Sequence, residues 1–256
     1  MIHATAIVDP AARIGANVSI GAYSVIGAGV DIGEGTTVGP HVVIEGTTRI
    51  GRDNRIFQFA SVGAIPQDKK YGGEDSELVI GDRNVIREFV TLNRGTGVGG
   101  GATRIGNDNW IMAYAHVAHD CTVGNHTIFS NNATLAGHVT IGDYAILSGF
   151  AGVHQFCRIG AHAMLAAGAI VLQDVPPYVM AQGYPAKPAG TNNEGLRRRG
   201  FSAADIARVR RAYRTLYRAG LSLDDARAAL SRDAAQAPVL EPLVAFLGVS
   251  GRGLVR

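Results

Sequence analysis

The chain has 256 residues and a formal net charge of +3, with 34 glycines, 46% hydrophobic residues and only 18% charged ones. That much apolar material supports a packed core and excludes disorder, and the glycines lack the every-third spacing of collagen. No uncharged apolar run is long enough to span a bilayer, no signal peptide is visible in MIHATAIVDP, and two cysteines cannot build a disulfide scaffold, so a cytoplasmic protein is the expectation.

A six-residue period dominates residues 1–186. An aliphatic residue recurs at Ile2, Val8, Ile14, Ile20 and onward to Val62, then at Ile80, Ile86 and Leu92, then from Ile105 to Val171. The residue two places earlier is usually small or β-branched, as at Val18, Ser24, Val30 and Thr36. Neither a helix nor a flat strand repeats every six residues. The period predicts short strands on the three sides of a prism, with the aliphatic residue inward and Gly or Asn in the corner conformations. Residues 18 apart then stack about 4.8 Å from one another on successive coils. Cys121 and Cys157, 36 apart, become inward thiols too distant for a disulfide.

Two polar, Gly-rich segments interrupt the period near residues 64–78 and 94–103 and must loop out of the prism. Six of the eight histidines follow, between His116 and His162. Steps of 18 place His119 over Gly137 and Gln155, and Asp120 over His138, so that His116, His119, Asp120, Gly137, His138, His154 and Gln155 converge on one corner region. Three readings compete for this cluster: a solvated polar face, a metal site made by several His, and general base catalysis. Histidine suits the last because its unperturbed pKa lies near neutrality. The pair His119–Asp120 would be a base and the carboxylate that orients it, and the Gly137 N–H would meet a developing oxyanion.

The period ends at Pro176-Pro177. Residues 183–190 read as a linker, and helical patterns follow from Ser202 to about Ala219, over Leu223–Ser231 and over Val239–Phe246. Residues 1–186 carry 11 basic and 15 acidic side chains, whereas residues 187–256 carry 13 and 6. Arg208, Arg211, Arg214 and Arg218 line one face of the first predicted long helix, so the basic tail is expected to meet an anionic partner.

The segments AHVAHDCTVGN (115–125), NNATLAGHVTIGD (131–143), HQFCRIGAH (154–162), DVPPYVMAQG (174–183), PQDKKYGG (66–73) and EGLRRRGF (194–201) resemble the acyl-ACP:UDP-N-acetylglucosamine O-acyltransferases of lipid A synthesis. The resemblance spans the whole chain and implies a left-handed parallel β-helix (residues 1–186) followed by a small helical C-terminal domain (187–256). It implies a homotrimer with active sites between subunits, which moves an (R)-3-hydroxyacyl group from acyl carrier protein to the 3-OH of the UDP-sugar. Carried over by motif, His119, Asp120 and Gly137 are the catalytic set. Gln67, Asp68, Lys70, His116, His138 and His154 contact sugar and acyl chain. Gln155, Asn192, Glu194, Arg198 and Arg199 form the nucleotide and phosphate set. Ala167 lies where side-chain size limits acyl length. No metal, resident cofactor or nucleic acid is implied, because the donor's phosphopantetheine travels on the carrier protein. Two departures are Asn93, where relatives often have His, and Pro185 after Tyr184. A later N-acyltransferase of the same pathway, an acetyl-CoA-dependent hexapeptide transferase, a zinc-dependent hydratase and a silent β-helix scaffold are the alternatives. The N-acyltransferase normally carries a further N-terminal domain, whereas the hexads here begin at Ile2.

Overall fold

The structure is a computed structural model that describes residues 1–249 and 251–256. Short strands of mostly two residues wind into three parallel sheets, one per prism face. The first face starts at Ile7–Val8, the second at Arg13–Ile14 and the third at Ser19–Ile20, and each strand pairs with the strand one coil on, which gives sheets of nine, eight and ten strands. The register follows the period: Ile111 pairs with Phe129, Val117 with Leu135 and Val123 with Ile141, each a step of 18. Across the interruptions the register survives with longer steps, Ile50 to Ile80 and Ile80 to Ile105. The architecture is a left-handed parallel β-helix with a small helical C-terminal part.

Two inward residues per hexad fill the interior. The aliphatic positions Ile32, Ile44, Val62, Leu92, Val117 and Leu135 are fully buried, and so are Val42, Val90, Cys121 and Cys157 two places before other ladder residues. Burial pushes the Cys121 thiol up to about 12 and the Cys157 thiol to about 11, so both are inert, unpaired thiols. Each buried aliphatic side chain contributes roughly 1.5–3 kcal/mol before chain entropy is charged against it.

The corners differ from the sequence expectation. The left-handed residue is not the Gly after the aliphatic one but the residue three places before the next, and it is usually not Gly: Asp53, Asp108, Asp120, His138 and His162 have φ between 55° and 62°. The glycines such as Gly142 are required for space instead. A Cβ on Gly142 would lie 2.5 Å from the Ala161 nitrogen on the next coil. Stacking of side chains from coil to coil stabilises the strained corner residues, as in Tyr23–His41–Phe59–Phe89–Tyr114 at the edge between third and first faces.

Both interruptions, residues 65–76 and 94–101, leave the prism at the edge between the first and second faces. After the last coil, residues 183–190 are not a linker. Val179–Gln182 and Lys187–Thr191 pair as an antiparallel hairpin that extends the third face, with Gly183 supplying a positive φ at the turn. Helix α1 (Asn193–Arg198) follows and has no counterpart in the hydropathy pattern. Helix α2 (Ala203–Tyr217) is capped by Ser202, whose hydroxyl accepts from the Asp205 N–H at 3.0 Å and donates to its carboxylate at 2.7 Å. Helices α3 (Leu223–Ala234) and α4 (Glu241–Gly248) complete a second small core around Val209, Leu216, Leu230 and Leu243. Among the described residues no helix is long and apolar enough to cross a membrane.

Candidate active site

The first–second edge carries, on successive coils, the loop 65–76, the loop 94–101, the pair His119–Asp120, the pair Gly137–His138 and the segment His154–Phe156. The topology therefore gathers both insertions and the histidines of the repeat on one edge.

Asp120 is the anchor. Its backbone is left-handed and its side chain is fully buried. The second insertion closes over it: Oδ1 accepts from the Thr96 N–H at 2.9 Å and Oδ2 from the Thr96 hydroxyl at 2.7 Å, while its own N–H donates to Thr103 Oγ1 at 2.8 Å. Gly99 has to be Gly, because a Cβ there would collide with the carboxylate. Burial alone would push this carboxyl up, but the hydrogen bonds from His119 and Thr96 outweigh it and hold Asp120 below the usual carboxylate range.

His119 Nδ1 lies 2.7 Å from Asp120 Oδ2. A carboxylate only accepts, so Nδ1 carries the proton and Nε2 keeps its lone pair free. The ring lies against Gly137, where a Cβ would come within 2.5 Å of Cε1 and 2.6 Å of Nε2. The Gly137 N–H donates to no acceptor among the described residues, whereas its carbonyl accepts from Phe156. A bare amide thus sits one coil from an imidazole with an open Nε2.

His138 stands edge-on to His119 with centroids 5.1 Å apart and stacks on Phe156 at 4.4 Å. Its Nε2 is 3.7 Å from Asp120 Oδ2. Burial lowers its pKa, Asp120 offsets part of this, and His119 adds to the lowering. His116, on the first face, holds Nδ1 2.7 Å from the Thr91 hydroxyl, and burial followed by the charge of His119 lowers its pKa. Asp68 and Lys70 from the first insertion, with Tyr71, Glu74, Thr96, His138 and Phe156, line a cleft of about 400 Å³ beside this cluster. Gln67 is exposed on the same insertion, and Gln155 is exposed at the same edge. Asn93, a departure from the family pattern, is buried and donates to the carbonyl of Ile65 at 3.0 Å, tying one insertion to the root of the other.

The remaining predicted residues lie elsewhere. Asn192 is buried and its amide is consumed: Oδ1 accepts from the Gly195 N–H at 3.1 Å, capping α1, and Nδ2 donates to the His162 carbonyl at 3.0 Å. Glu194 pairs with Arg197 and, at 3.0 Å, with Arg198. Arg199 folds the other way, over the Tyr144 ring at 4.9 Å and towards His162. This set occupies the second–third edge. Ala167 is exposed on the third–first edge beside Gly168. One chain therefore brings together His119, Asp120 and Gly137, the set expected to be catalytic, with Asp68, Lys70, His116, His138 and Gln155, and leaves Asn192, Glu194, Arg198, Arg199 and Ala167 on its other two edges.

Sequence reading missed Thr96, Thr103, Gly99 and Phe156, all of which hold the cluster together. The signal for the first three was present, since a Gly-rich loop ending in Thr precedes the histidines by one coil, but the chain of loop 94–101 has no period from which to compute its contacts. The trio His119, Asp120 and His138 also offers three donor atoms within 4.8 Å of one another, a group that could hold a metal ion.

Comparison with known proteins agrees along the full length. A family profile described as bacterial transferase hexapeptide (six repeats) matches residues 2–46 and 102–137, and one described as UDP N-acetylglucosamine O-acyltransferase, domain 2, matches residues 174–255. The acyl-[acyl-carrier-protein]–UDP-N-acetylglucosamine O-acyltransferase of Herminiimonas arsenicoxydans is 57% identical over 260 residues, covering 100% of this chain and 99% of its own. The enzyme of the same name from Stenotrophomonas maltophilia is 59% identical over 256 residues, covering 100% and 97%. Among solved structures, LpxA of Acinetobacter baumannii superposes with a TM-score of 0.97 at 47% identity, covering 100% of this chain and 99% of that one. The UDP-N-acetylglucosamine acyltransferase of Arabidopsis superposes at 0.86 with 35% identity, covering both chains fully.

Proposed function

The chain belongs to the UDP-N-acetylglucosamine O-acyltransferase family, and from that premise we propose that it transfers an acyl group from acyl carrier protein to UDP-N-acetylglucosamine with His119 as general base. The reaction is the first step of lipid A biosynthesis, and the group moved is an (R)-3-hydroxyacyl chain delivered to the sugar 3-OH. The observation that carries the mechanism is the His119 ring held between the buried Asp120 carboxylate and the Gly137 backbone.

The steps follow from this geometry. A sugar hydroxyl is a weak nucleophile, so Nε2 of His119 takes its proton as the oxygen attacks the thioester carbonyl. Asp120 fixes the tautomer and stabilises the imidazolium, as a carboxylate behind a catalytic histidine does. The carbonyl oxygen becomes an oxyanion that the Gly137 N–H accommodates. Collapse breaks the C–S bond, and the departing phosphopantetheine sulfur takes the proton back from His119. Atoms and charge balance without a metal or a resident cofactor.

A homotrimer accounts for the residues left on the other edges. Packing prisms side by side would bring Asn192, Glu194, Arg198, Arg199 or Ala167 of one copy towards the His119 edge of the next, where the arginines suit a diphosphate and the small Ala167 leaves room for a longer acyl chain. The cleft of about 470 Å³ lined by Arg208, Arg211 and Arg232 on α2 and α3 offers an acidic carrier protein a basic surface. The cytoplasm is the compartment that this reading places the protein in.

The test is purified protein with UDP-N-acetylglucosamine and hydroxyacyl carrier proteins of several lengths. The variant His119→Ala should lose at least about 10²-fold in rate with its assembly intact; near-normal turnover removes His119 from the role. The donor trio favours one second reading, a zinc-dependent reaction. Metal analysis decides it: stoichiometric zinc with chelator inhibition supports zinc, and full activity after chelation excludes it. Against zinc, the Asp120 oxygens are already engaged by Thr96 and His119.

A further inference from the structure

The last residues of the chain return from the helical part to the prism. The Asp174 N–H donates to the Gly253 carbonyl at 2.8 Å, the Val255 N–H donates to the Asp174 carbonyl at 3.0 Å, and Val255 is buried in the main core. Arg158 ties the same stretch down, pairing with Asp174 at 2.9 Å and donating to the Val249 carbonyl at 3.1 Å. Gly251 passes so close to Asp174 that no Cβ would fit. This strap delivers Arg252 to the first–second edge. Arg252 places Nη1 3.0 Å from His154 Nδ1, and its guanidinium lies 5.9 Å from the centroid of Phe156, which lines the cleft beside His138.

Arginine only donates, so His154 Nδ1 accepts and the proton of the neutral imidazole sits on Nε2. His119 is the reverse, with a carboxylate at Nδ1 and a bare Nε2. Two histidines on one edge are set to opposite tautomers by partners of opposite charge. The Gln155 carbonyl, 3.2 Å from the same His154 nitrogen, competes for the opposite tautomer, so the outcome depends on Arg252.

We propose that Arg252 is a positioning residue that fixes His154 in its Nε2–H tautomer, making it a hydrogen-bond donor to a substrate oxygen. The claim rests on the acyltransferase reading for its substrate and on the strap for its geometry. The ¹⁵N spectrum of imidazole-labelled full-length protein reads the tautomer without turnover. His154 should be protonated at Nε2 in the wild type and in Arg252→Lys, and at Nδ1 in Arg252→Met, where only the Gln155 carbonyl remains. Protonation at Nδ1 in the wild type, or the same tautomer in wild type and Arg252→Met, overturns the proposal. Kinetics give the second arm: Arg252→Met should raise one substrate KM about tenfold with kcat little changed, as for one lost hydrogen bond. Arg252→Lys should recover part of this, and His154→Ala with Arg252→Met should cost no more than His154→Ala alone. Additive losses in the double variant mean that Arg252 does not act through His154. A protein with the expected tautomers but no transfer from acyl carrier protein would sink the functional reading and leave the tautomer assignment standing.

Discussion

His138 and His162 occupy the same hexad position with almost the same left-handed backbone, φ 62° and 59°, on two edges of one prism. Their surroundings diverge. On the second–third edge a ladder engages four successive corner amides: Arg52, Asp82, Asn107 and Asn125 each donate an N–H to the Oδ1 of the residue on the next coil, at 2.7–2.8 Å. His162 is stacked between Tyr144 and Tyr178, and α1 is seated against it. On the first–second edge the residue before His138 is Gly137, which brings no side chain; its N–H, like that of Ala161 before His162, meets no acceptor among the described residues. The scaffold is identical; what separates the two edges is what covers the histidine and whether the residue before it carries a side chain.

Two glycine substitutions break that comparison with the largest effect. Gly137→Ala pushes a methyl group into the His119 ring, a side chain that can move. It should cost roughly 10²-fold or more in kcat, in the range for displacing a base or blocking one oxyanion donor, with the melting temperature nearly unchanged. Gly142→Ala drives its methyl into the Ala161 backbone, which cannot move without shifting a coil. That variant should lose about 1–3 kcal/mol of stability and keep its turnover. If both variants lost stability and activity together, the edges would not be separable in the way described.

The same contrast explains what was legible in the sequence. Steps of 18 along a rigid period carried His119 to Gly137 and Asp120 to His138, because inside the repeat sequence distance converts directly into spatial distance. The ladder of Asp82, Asn107, Asn125 and Asp143 obeys that arithmetic too, once the insertions are allowed for. Loop 94–101 does not: nothing in its spacing says that Thr96 closes over Asp120. Nor could any period foretell that Arg252 returns to His154 from 98 residues away, or that Asn192 would be spent on capping α1. The purpose of the corner glycines is not legible in the sequence, because Gly serves two physical ends, positive φ and absence of a Cβ, and after the aliphatic residue it is mostly the second that applies.

A smaller effect sharpens the comparison through acid stability. Burial, with Arg199 adding to it, lowers the His162 pKa from 6.5 to about 4. The unfolded chain binds this proton at higher pH than the folded one, so the stability is whole above pH 6.5 and drains away as the pH falls towards 4. Replacing His162 by Tyr keeps the stack with Tyr144 and Tyr178 and removes the titration. Relative to the wild type, the variant should gain about 2 kcal/mol between pH 7.5 and pH 4.5 in denaturant midpoints. Parallel curves for the two proteins would show that this histidine is no more strained by protonation when folded than when unfolded.

The smallest expected effect concerns the basic helices that pack beyond the structural edge. Arg208 pairs with Asp205 at 2.9 Å, and Asp233 faces the same cleft, whereas Arg211 is exposed and has no carboxylate partner among the described residues. A carrier protein docked there meets charges at the rim of a contact rather than in a dry pocket, so reversal weakens encounter more than chemistry. Arg208→Glu and Arg211→Glu should raise the carrier-protein KM about threefold to tenfold, Arg211→Glu accounting for the larger share, with the KM for the UDP-sugar and the kcat unchanged. Added salt should raise the wild-type KM in the same direction and have less effect on the double variant, because screening acts on the attraction that the variant has already lost. An unchanged carrier-protein KM in the double variant places the docking surface elsewhere, and a fall in kcat instead would mean that these helices act on the first–second edge through the strap that carries Arg252.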